Sequence, residues 1–464
     1  MVQVQELEEI SVDIKPDVIV QGSTWASIWH MSWPSLVQMM CIAVASFADV
    51  WTAGQLGSQV QAAIGIGGQI WYLMMMLAVA LSAGATAIVS RHWGARELDQ
   101  AIEATRNCLS FAFVFGLATV GIGLVGGKII FSMLVASPQV QDVGWQYLKY
   151  DMWSQLPFTV IWVVHSIFRA KGNARAPMLI WMLMTALVIA GDLTLCIKPF
   201  HLGIAGIGLS WVIAAFIGMS VALTVLSKSE LGPSVDFKKM IETGLSRDWV
   251  VRLLRIGIPA CIQDIAWVAG NFVLFLIFAM TVNPTACQAA WAVGVRIEEM
   301  LCGLPLHALS MAIATIVGQN LGAKQPDRAE KAGWQVAGAG AVYSAVVGAA
   351  LFCFARPIAQ MVSSDATVVL YTSQYLQVMG IAQPFVAVWM TLFGAMQGAG
   401  YTKWPMWASA ICLTILRLPI AYYLTVAIAL GALGTWLSIA STCVLVGSIA
   451  IWRFKTGTWK FQKV

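Results

Sequence analysis

Isolated carboxylates inside apolar stretches are the residues of this chain whose type and position could do chemistry. Asp49 lies in CIAVASFADVWTAG and Asp192 in LVIAGDLTL, and neither has a basic residue within four positions along the chain. An ionisable group within a membrane span costs several kcal/mol unless it is paired or hydrated, so it indicates a functional site by default. Removal from water disfavours the charged carboxylate, so each group could take up a proton near neutral pH. The alternative is that each acid only supplies hydrogen bonds at a break in a helix.

A second set of charged residues lies in the second half of the chain. Arg296 and Glu299 are at positions i and i+3, where an ion pair can form on one helix face, and Glu298 lies between them. The alternative interpretation is an ion or substrate site formed by these residues. Arg417 lies two residues before Pro419 and could satisfy the backbone carbonyls that the proline leaves unpaired.

Three further features are interpreted from their position along apolar stretches. Lys149 and Asp151 lie near the start of one stretch, which predicts a place at the membrane interface. His165 is interpreted as a helix-contact histidine with satisfied hydrogen bonds rather than as a proton relay. Pro34 precedes Asp49 by about 15 residues, and because proline weakens a helix we expect a bend between them.

The elements that must position these residues are membrane-spanning helices. The chain is 59% hydrophobic and 11% charged, whereas soluble domains carry about 25% charged residues. A hydrocarbon core about 30 Å thick needs about 20 apolar residues per helix. Such stretches lie near 25–52, 62–90, 107–135, 143–168, 177–196, 205–227, 253–281, 286–317, 334–354, 368–396, 405–428 and 430–452. The sequence therefore predicts an all-α polytopic membrane protein with twelve transmembrane helices.

The two halves of the chain repeat with a spacing of about 228 residues. Similar residues at this spacing include Gly94 and Gly322, Pro177 and Pro405, Gly203 and Gly431. Six spans per half leave both halves with the same orientation, so we expect two six-helix bundles related by a pseudo-twofold axis along the membrane normal. The predicted domains are a cytosolic N-terminal tail (1–24), an N-lobe of six helices (25–227), a cytosolic linker (228–252), a C-lobe of six helices (253–452) and a cytosolic tail (453–464).

Charge distribution and absent motifs narrow the function. Most of the 27 Lys and Arg residues fall in the termini and the even-numbered loops, which predicts a plasma (inner) membrane protein with both termini in the cytoplasm. The same distribution accounts for the net charge of +5 without a nucleic-acid partner. Lys128 follows two glycines but precedes Ile129, so the sequence has no nucleotide-binding P-loop, and we expect no ATP hydrolysis and no enzyme activity. The nine cysteines are scattered singly, which predicts no metal site and no cofactor, and we expect a monomer.

Three motifs together resemble a known family. The chain is similar to the bacterial multidrug and toxic compound extrusion (MATE) transporters in three segments: Phe47-Ala48-Asp49, VGQNLGA at 317–323 and MQGAGYTK at 396–403. The resemblance runs from about 25 to 452. It implies a V-shaped pair of bundles around a central cavity. It also implies an antiporter that exports small organic cations or amphipathic drugs across the lipid bilayer by alternating access, driven by protons or Na⁺. The alternative within the same superfamily is a flippase or an exporter of a lipid-linked or other endogenous metabolite.

The resemblance also implies a coupling site. In the DinF-like branch of the family this site combines an acid of span 1, an acid of span 5 and a hydroxyl of span 6, which here are Asp49, Asp192 and Ser210. The asparagine that the family often places four residues before the span 5 acid is here Val188. Sodium needs several oxygen ligands, so the missing asparagine favours a proton as the coupling ion. Na⁺ bound at Asp49 and Asp192 is the alternative.

Another branch of the family couples transport through a glutamate in span 7. That neighbourhood contains Asn271 and no acid in this chain, so the resemblance favours the first lobe. A possible polar site of the second lobe remains, formed by Asn271, Arg296, Glu298 and Glu299.

Overall fold

The computed structural model describes residues 17–134, 138–197 and 200–464, and the regular elements of these ranges are all helical. The chain divides into two compact units. Of the described residues, the first is formed by 17–22 and His30–Gly257, and the second by Ile258–Val464 together with Ser23–Trp29. Of the tail predicted for 1–24, residues 1–16 lie outside the described residues.

Long apolar helices with short connections form the first half of the chain. They are α1 (Thr24–Leu56), α2 (Ser58–Gly94), α3 (Leu98–Leu134), α4 (Pro138–Asp151), α5 (Gln155–Ala170), α6 (Arg175–Gly191) and α7 (Ile204–Ser227). Helices α2 and α3 have 37 residues each, so at 1.5 Å per residue they are longer than the hydrocarbon core is thick.

The second half contains the same kind of helices, preceded by the short helix α8 (Phe237–Thr243). They are α9 (Arg247–Phe278), α10 (Pro284–Glu298), α11 (Leu304–Gly322), α12 (Pro326–Cys353), α13 (Ala355–Val362), α14 (Ala366–Gly398), α15 (Lys403–Ser409), α16 (Arg417–Tyr422) and α17 (Ala432–Lys455). Wider π-helical turns join several of them, among others Glu299–Gly303 between α10 and α11.

The span predicted at 143–168 is broken inside the first unit. Helix α4 has 14 residues and α5 has 16, and a 3₁₀ turn, Met152–Ser154, joins them. Pro157 removes a backbone donor from the first turn of α5, while the Ser154 hydroxyl donates to the carbonyl of Asp151 over 2.6 Å. Neither helix is long enough alone to cross about 30 Å, but together they are.

Eleven helical segments of the described ranges are long and apolar enough to cross a membrane, and α4 with α5 supplies the further predicted span. The all-α class and the layout of twelve helices in two units agree with the sequence prediction.

The backbone repeats as the sequence does. Residues with φ in the left-handed region, which costs energy for any residue with a Cβ, recur at the same spacing in both halves. The pairs are Arg96 (60°) and Lys324 (59°), His201 (52°) and Ala429 (61°), Gly203 (59°) and Gly431 (57°). Uncommon conformations at equivalent positions indicate that the two halves share one backbone design.

The C-terminal residues fold back onto α12. Trp459 is fully buried and stacks on Phe454 with 4.6 Å between the ring centroids. The Lys460 ammonium lies 2.5 Å from Glu330 and 3.4 Å from Asp327, and these contacts raise the pKa of Lys460. Both a buried ring and ion pairs therefore hold this segment to the second unit.

Candidate functional site

Asp49 and Asp192 lie together in the interior of the first unit. Their exposed fractions are 8% and 1%. The indole N–H of Trp211 donates to Asp49 Oδ2 over 2.8 Å, and the Ser210 hydroxyl donates to Asp192 Oδ1 over 2.5 Å. The two carboxyl groups are within hydrogen-bonding reach of each other, and the Thr52 hydroxyl reaches Asp192. The structure thus brings the three residues of the predicted coupling site together and adds Trp211 and Thr52 to them.

Local helix geometry explains how these side chains meet. Asp192 begins a π-helical turn, Asp192–Ile197, directly after α6 ends at Gly191. A Cβ at Gly191 would lie 2.5 Å from the Cβ of Ser210, so glycine permits the close approach of α6 and α7. Ser210 and Trp211 are consecutive on α7, and each donates to a different acid. One short segment of α7 therefore serves both carboxyl groups.

The carboxyl oxygens that Trp211 and Ser210 leave unbonded define what the pair can do. Asp49 Oδ1 and Asp192 Oδ2 are buried, and neither accepts a well-formed hydrogen bond from a described residue. Two carboxylates that meet away from water repel each other, and a shared proton turns this repulsion into a hydrogen bond. The arrangement can therefore hold a proton between Asp49 and Asp192. The same oxygens are the ligands that a sodium ion would use.

Asp151 is a third buried acid of this unit. It is 1% exposed at the end of α4, where the Ser154 hydroxyl lies 3.3 Å from its Oδ1 and the Tyr147 phenol is within hydrogen-bonding reach. The predicted interfacial place is wrong for Asp151, because the 3₁₀ turn keeps this residue inside the unit. The polar pair Tyr147 and Asp151, spaced by four residues on one helix, is the sequence signal that could have shown it.

Aromatic rings connect the surroundings of Asp151 with those of the acid pair. The Trp71 indole N–H donates to the Ser154 hydroxyl over 3.4 Å. Its ring lies 5.2 Å from that of Phe158 and 6.4 Å from that of Trp211. Two neighbouring indoles therefore donate hydrogen bonds, one beside Asp151 and one to Asp49.

His165 differs from its predicted environment. It is fully buried on α5, and neither ring nitrogen has a hydrogen-bond partner in the described part of the chain. The interpretation as a satisfied helix-contact histidine is therefore wrong. Arg169, one turn further along, donates to Gln38 Oε1 over 3.4 Å. A buried N–H without a partner lowers the stability of the folded state by about 1–3 kcal/mol, so the packing around His165 must offset this cost.

The buried polar residues of the second unit lie in two hydrogen-bonded groups, around Arg417 and Glu298, whose charges interact. A polar site formed by Asn271, Arg296, Glu298 and Glu299 stays a prediction. Arg417 is 1% exposed and donates to Asn271 Oδ1 over 3.0 Å, to Thr442 Oγ1 over 3.0 Å and to Cys443 Sγ over 3.7 Å. The predicted bonds from Arg417 to proline-freed carbonyls are not formed among the described residues, so that prediction is wrong. Side chains of neighbouring helices hold the guanidinium instead.

Glu298 belongs to the other network of this unit. It accepts a hydrogen bond from the Tyr375 hydroxyl, and the Gln383 amide is within reach. These neutral partners stabilise the carboxylate without bringing it into an ion pair with any basic residue that the structure describes.

The predicted ion pair between Arg296 and Glu299 is wrong, because no ion pair joins them in the ranges described. Helical backbone geometry continues through Glu299, whose N–H donates to the carbonyls of Arg296 and Val295. A Cβ at Gly303 would lie 2.5 Å from Glu299 Oε2, so this carboxylate extends along the following turn over the glycine. Arg296 itself is exposed. The directions of the two side chains, rather than the helix spacing, therefore keep them unpaired.

Among the described residues no group of three or more His, Cys, Asp or Glu side chains is arranged to hold a metal ion.

Membrane-length helices in two repeated units, with ionisable groups buried inside them, are typical of membrane transporters. Residues 34–194 and 259–423 match the MatE family, one match in each half of the chain. The chain therefore belongs to the MatE family, the bacterial MATE transporters.

Relatives and solved structures agree with this assignment. The Thermotoga maritima protein named "Probable multidrug resistance protein NorM" is 22% identical over 93% of this chain and 92% of its own length. A FAD transporter of Shewanella oneidensis is 25% identical over 84% of this chain and 86% of its own length. The Vibrio cholerae MATE transporter VcmN in its bent form is 20% identical, covers 94% of this chain and 97% of its own, and has a TM-score of 0.86. The likeness to VcmN shows a shared fold.

Proposed function

We propose that this chain is a secondary antiporter that exports organic cations or amphipathic drugs from the cytoplasm in exchange for protons that move inward. The contact between the buried carboxyl groups of Asp49 and Asp192 carries this proposal. Without a proton the pair is negative and strained by repulsion, and with a proton it is bonded and less charged. A charge that changes inside a membrane is what an ion gradient can act on.

Ser210 and Trp211 tune this pair. Each donates a hydrogen bond to one carboxylate oxygen, and such bonds favour the charged form of the acid. They oppose the effect of burial, so the proton can leave as well as bind. Release to the cytoplasm and uptake from outside would then alternate with the movement of substrate. The ion gradient supplies the energy, since the sequence has no P-loop for ATP hydrolysis.

The donors around the acids favour a proton over sodium as the coupling ion. A sodium ion needs several oxygen ligands, whereas here one oxygen of each acid already accepts a hydrogen bond from Trp211 or Ser210. A proton needs only one carboxylate oxygen. Sodium held by Asp49 and Asp192 remains the alternative coupling ion.

Transport in proteoliposomes with independently imposed pH and sodium gradients tests the proposal. We expect export of ethidium or norfloxacin driven by the pH gradient in the wild type, and no driven export in Asp49→Asn or Asp192→Asn. Glu298→Gln is the matched control, because it removes a buried acid from the second unit, and it should keep coupling. Export that requires sodium without a pH gradient would overturn the proton assignment. Coupling that survives in both Asn variants would move the site to Glu298 and Glu299.

Export of an endogenous metabolite is the second candidate function, and the similarity to a FAD transporter favours it. The same liposomes distinguish the two, with FAD offered beside the cationic drugs. Export of FAD with no export of any cationic compound would replace the drug proposal. A flippase for a lipid-linked head group is less favoured, because a pyrophosphate needs cations and the first unit offers acids around Asp49.

We also propose an orientation, which the positive residues of the loops support. In this proposal both termini and the linker at 228–252 lie on the cytoplasmic side of the plasma (inner) membrane, and the chain acts as a monomer in the bilayer. Reporter fusions to the C-terminus test this: a cytoplasmic fluorescent protein should fold and fluoresce there, whereas an active periplasmic phosphatase would contradict it.

A further inference from the structure

Asp151 is a buried carboxyl group that the proposed acid pair leaves unused. Its Oδ1 lies 3.3 Å from the Ser154 hydroxyl, and the Tyr147 phenol is within hydrogen-bonding reach. Its Oδ2 is buried and meets no donor in the described ranges. Asp151 therefore has the same half-satisfied pattern as Asp49 and Asp192.

A chain of contacts joins Asp151 to the acid pair. Ser154 bonds to Asp151 and accepts the indole N–H of Trp71 over 3.4 Å. The ring of Trp71 lies 6.4 Å from the ring of Trp211, which donates to Asp49 over 2.8 Å. The charge of Asp151 acts on Asp49. Both acids are buried, so this interaction is screened less than it would be in water.

The ionisable groups around Asp49, Asp151 and Asp192 carry no positive charge in the described part of the chain. Helices α2, α3 and α7 pack against α4. The further ionisable groups that interact with these acids are Tyr147 on α4 and Cys196 in the turn after α6. Lys149, the nearest cation along the helix, instead lies over the ring of Tyr150 at 4.9 Å. Because Asp49 interacts with both Asp192 and Asp151, charging all three buried acids at once is unfavourable.

We propose that Asp151 is a third proton-carrying carboxyl of the first unit, which exchanges its proton in step with the Asp49–Asp192 pair. This inference rests on the proposed proton coupling. The protons leave one after another within the same cycle, because each negative charge left behind makes the next carboxyl group hold its proton more firmly. When the pair and Asp151 both release a proton to the cytoplasm and both take one up from outside, the cycle carries about one more proton than the acid pair alone.

Two measurements on Asp151→Asn test the proposal. The amide has the shape of the acid and can still accept from Ser154 and Tyr147, but it cannot titrate. The first measurement is the number of protons exchanged per substrate, taken from the substrate gradient that just balances an imposed pH gradient in proteoliposomes. We expect a decrease of about one proton. The second is the pH-difference infrared spectrum of the purified protein without substrate, which should lose the carbonyl band of one protonated carboxylic acid.

Asp142→Asn is the matched control, because Asp142 lies on the same helix and is exposed. It should leave both measurements unchanged. Tyr147→Phe, which keeps the ring and removes one donor to Asp151, is the second variant should Asp151→Asn fail to fold, and it should shift the pH at which the infrared band disappears.

The two proposals fail in different ways. If the wild type shows no export driven by the pH gradient, the proposed function is overturned, and the proposal for Asp151, which rests on it, is overturned too. If the wild type is coupled to the pH gradient but Asp151→Asn has the same proton count and the same infrared spectrum, only the role of Asp151 is overturned. In that case Asp151 is a structural acceptor for Ser154 and Tyr147.

Discussion

The hydrogen bond from Trp211 to Asp49 offers the sharpest test of how the acid pair is tuned. Replacing Trp211 by Phe removes the indole N–H that lies 2.8 Å from Asp49 Oδ2. The phenyl ring keeps an aromatic surface against Trp71 and Phe158, whose centroids lie 6.4 and 5.6 Å from the Trp211 ring. The substitution therefore removes one donor and largely retains the packing.

The expected magnitude follows from the kind of bond that is lost. A hydrogen bond to a charged group contributes about 1.5–3 kcal/mol. It stabilises the deprotonated acid, so its loss makes the pair hold its proton more firmly. At about 1.4 kcal/mol per pH unit, the midpoint of the pH dependence of transport should move upward by about 1–2 units. The maximal rate at the new optimum should change much less.

Drug export from proteoliposomes over a series of pH values measures this midpoint. Trp181→Phe is the matched control: Trp181 packs against Phe158 at 6.1 Å, but its indole nitrogen has no partner among the described residues. We expect no shift of the midpoint in this control. An unshifted midpoint in Trp211→Phe, or an equal shift in both variants, would refute the reasoning that the Trp211 bond sets the proton affinity of the site.

Three other substitutions test the bend, the helix contact and the C-terminal segment. Pro34→Ala restores a helical hydrogen bond within α1 and should lower the initial rate of transport more than substrate affinity in a fluorescence binding assay; an unchanged rate with weaker binding would contradict it. Gly191→Ala places a Cβ 2.5 Å from that of Ser210, so we expect a loss of about 1–3 kcal/mol in thermal unfolding and a raised pH midpoint, and a variant with neither effect would show that the contact yields freely. Trp459→Ala should cost about 3–5 kcal/mol, because the ring is fully buried, whereas Phe461→Ala at an 82% exposed position should change thermal stability by about 0.5 kcal/mol or less. Equal losses in the last two would argue against the packing of this segment.

Hydropathy predicted the helices, and isolated charges within apolar stretches pointed to Asp49 and Asp192. Both signals depend only on local sequence. Asp49 and Asp192 stand out, since each interrupts an apolar stretch without a nearby basic residue. The partners of these acids depend on tertiary packing and could not be read in the same way. Trp211 is one of 21 tryptophans, and nothing local distinguishes the one that donates to Asp49.

A helix break and side-chain directions account for two differences between prediction and structure. The 3₁₀ turn before α5 goes with a buried position of Asp151 instead of the expected interface. Such a break changes the angle of later side chains while leaving hydropathy unchanged, so helical periodicity misplaces residues beyond it. Arg296 and Glu299 keep the helical spacing, but Glu299 lies over Gly303 and Arg296 is exposed, and the sequence does not encode these directions locally.

The two units share one backbone design, but equivalent side chains in them have different charged or polar partners. Tyr147 and Tyr375 occupy equivalent positions of the repeat, and each lies within reach of an acid. Ser210 and Ser438 are equivalent too, but Ser210 donates to the carboxylate of Asp192, whereas Ser438 donates to the main-chain carbonyl of Arg417 over 2.8 Å.

The equivalent serines therefore have different kinds of partner. In the first unit Ser210 bonds to one acid of a carboxyl pair. In the second unit Ser438 bonds to the main chain of Arg417, whose guanidinium donates to Asn271 and Thr442. Under the proposed function, coupling by protons depends on a few side chains of the first unit, because position 420, which corresponds to Asp192, is an isoleucine. The backbone around these positions is common to both halves.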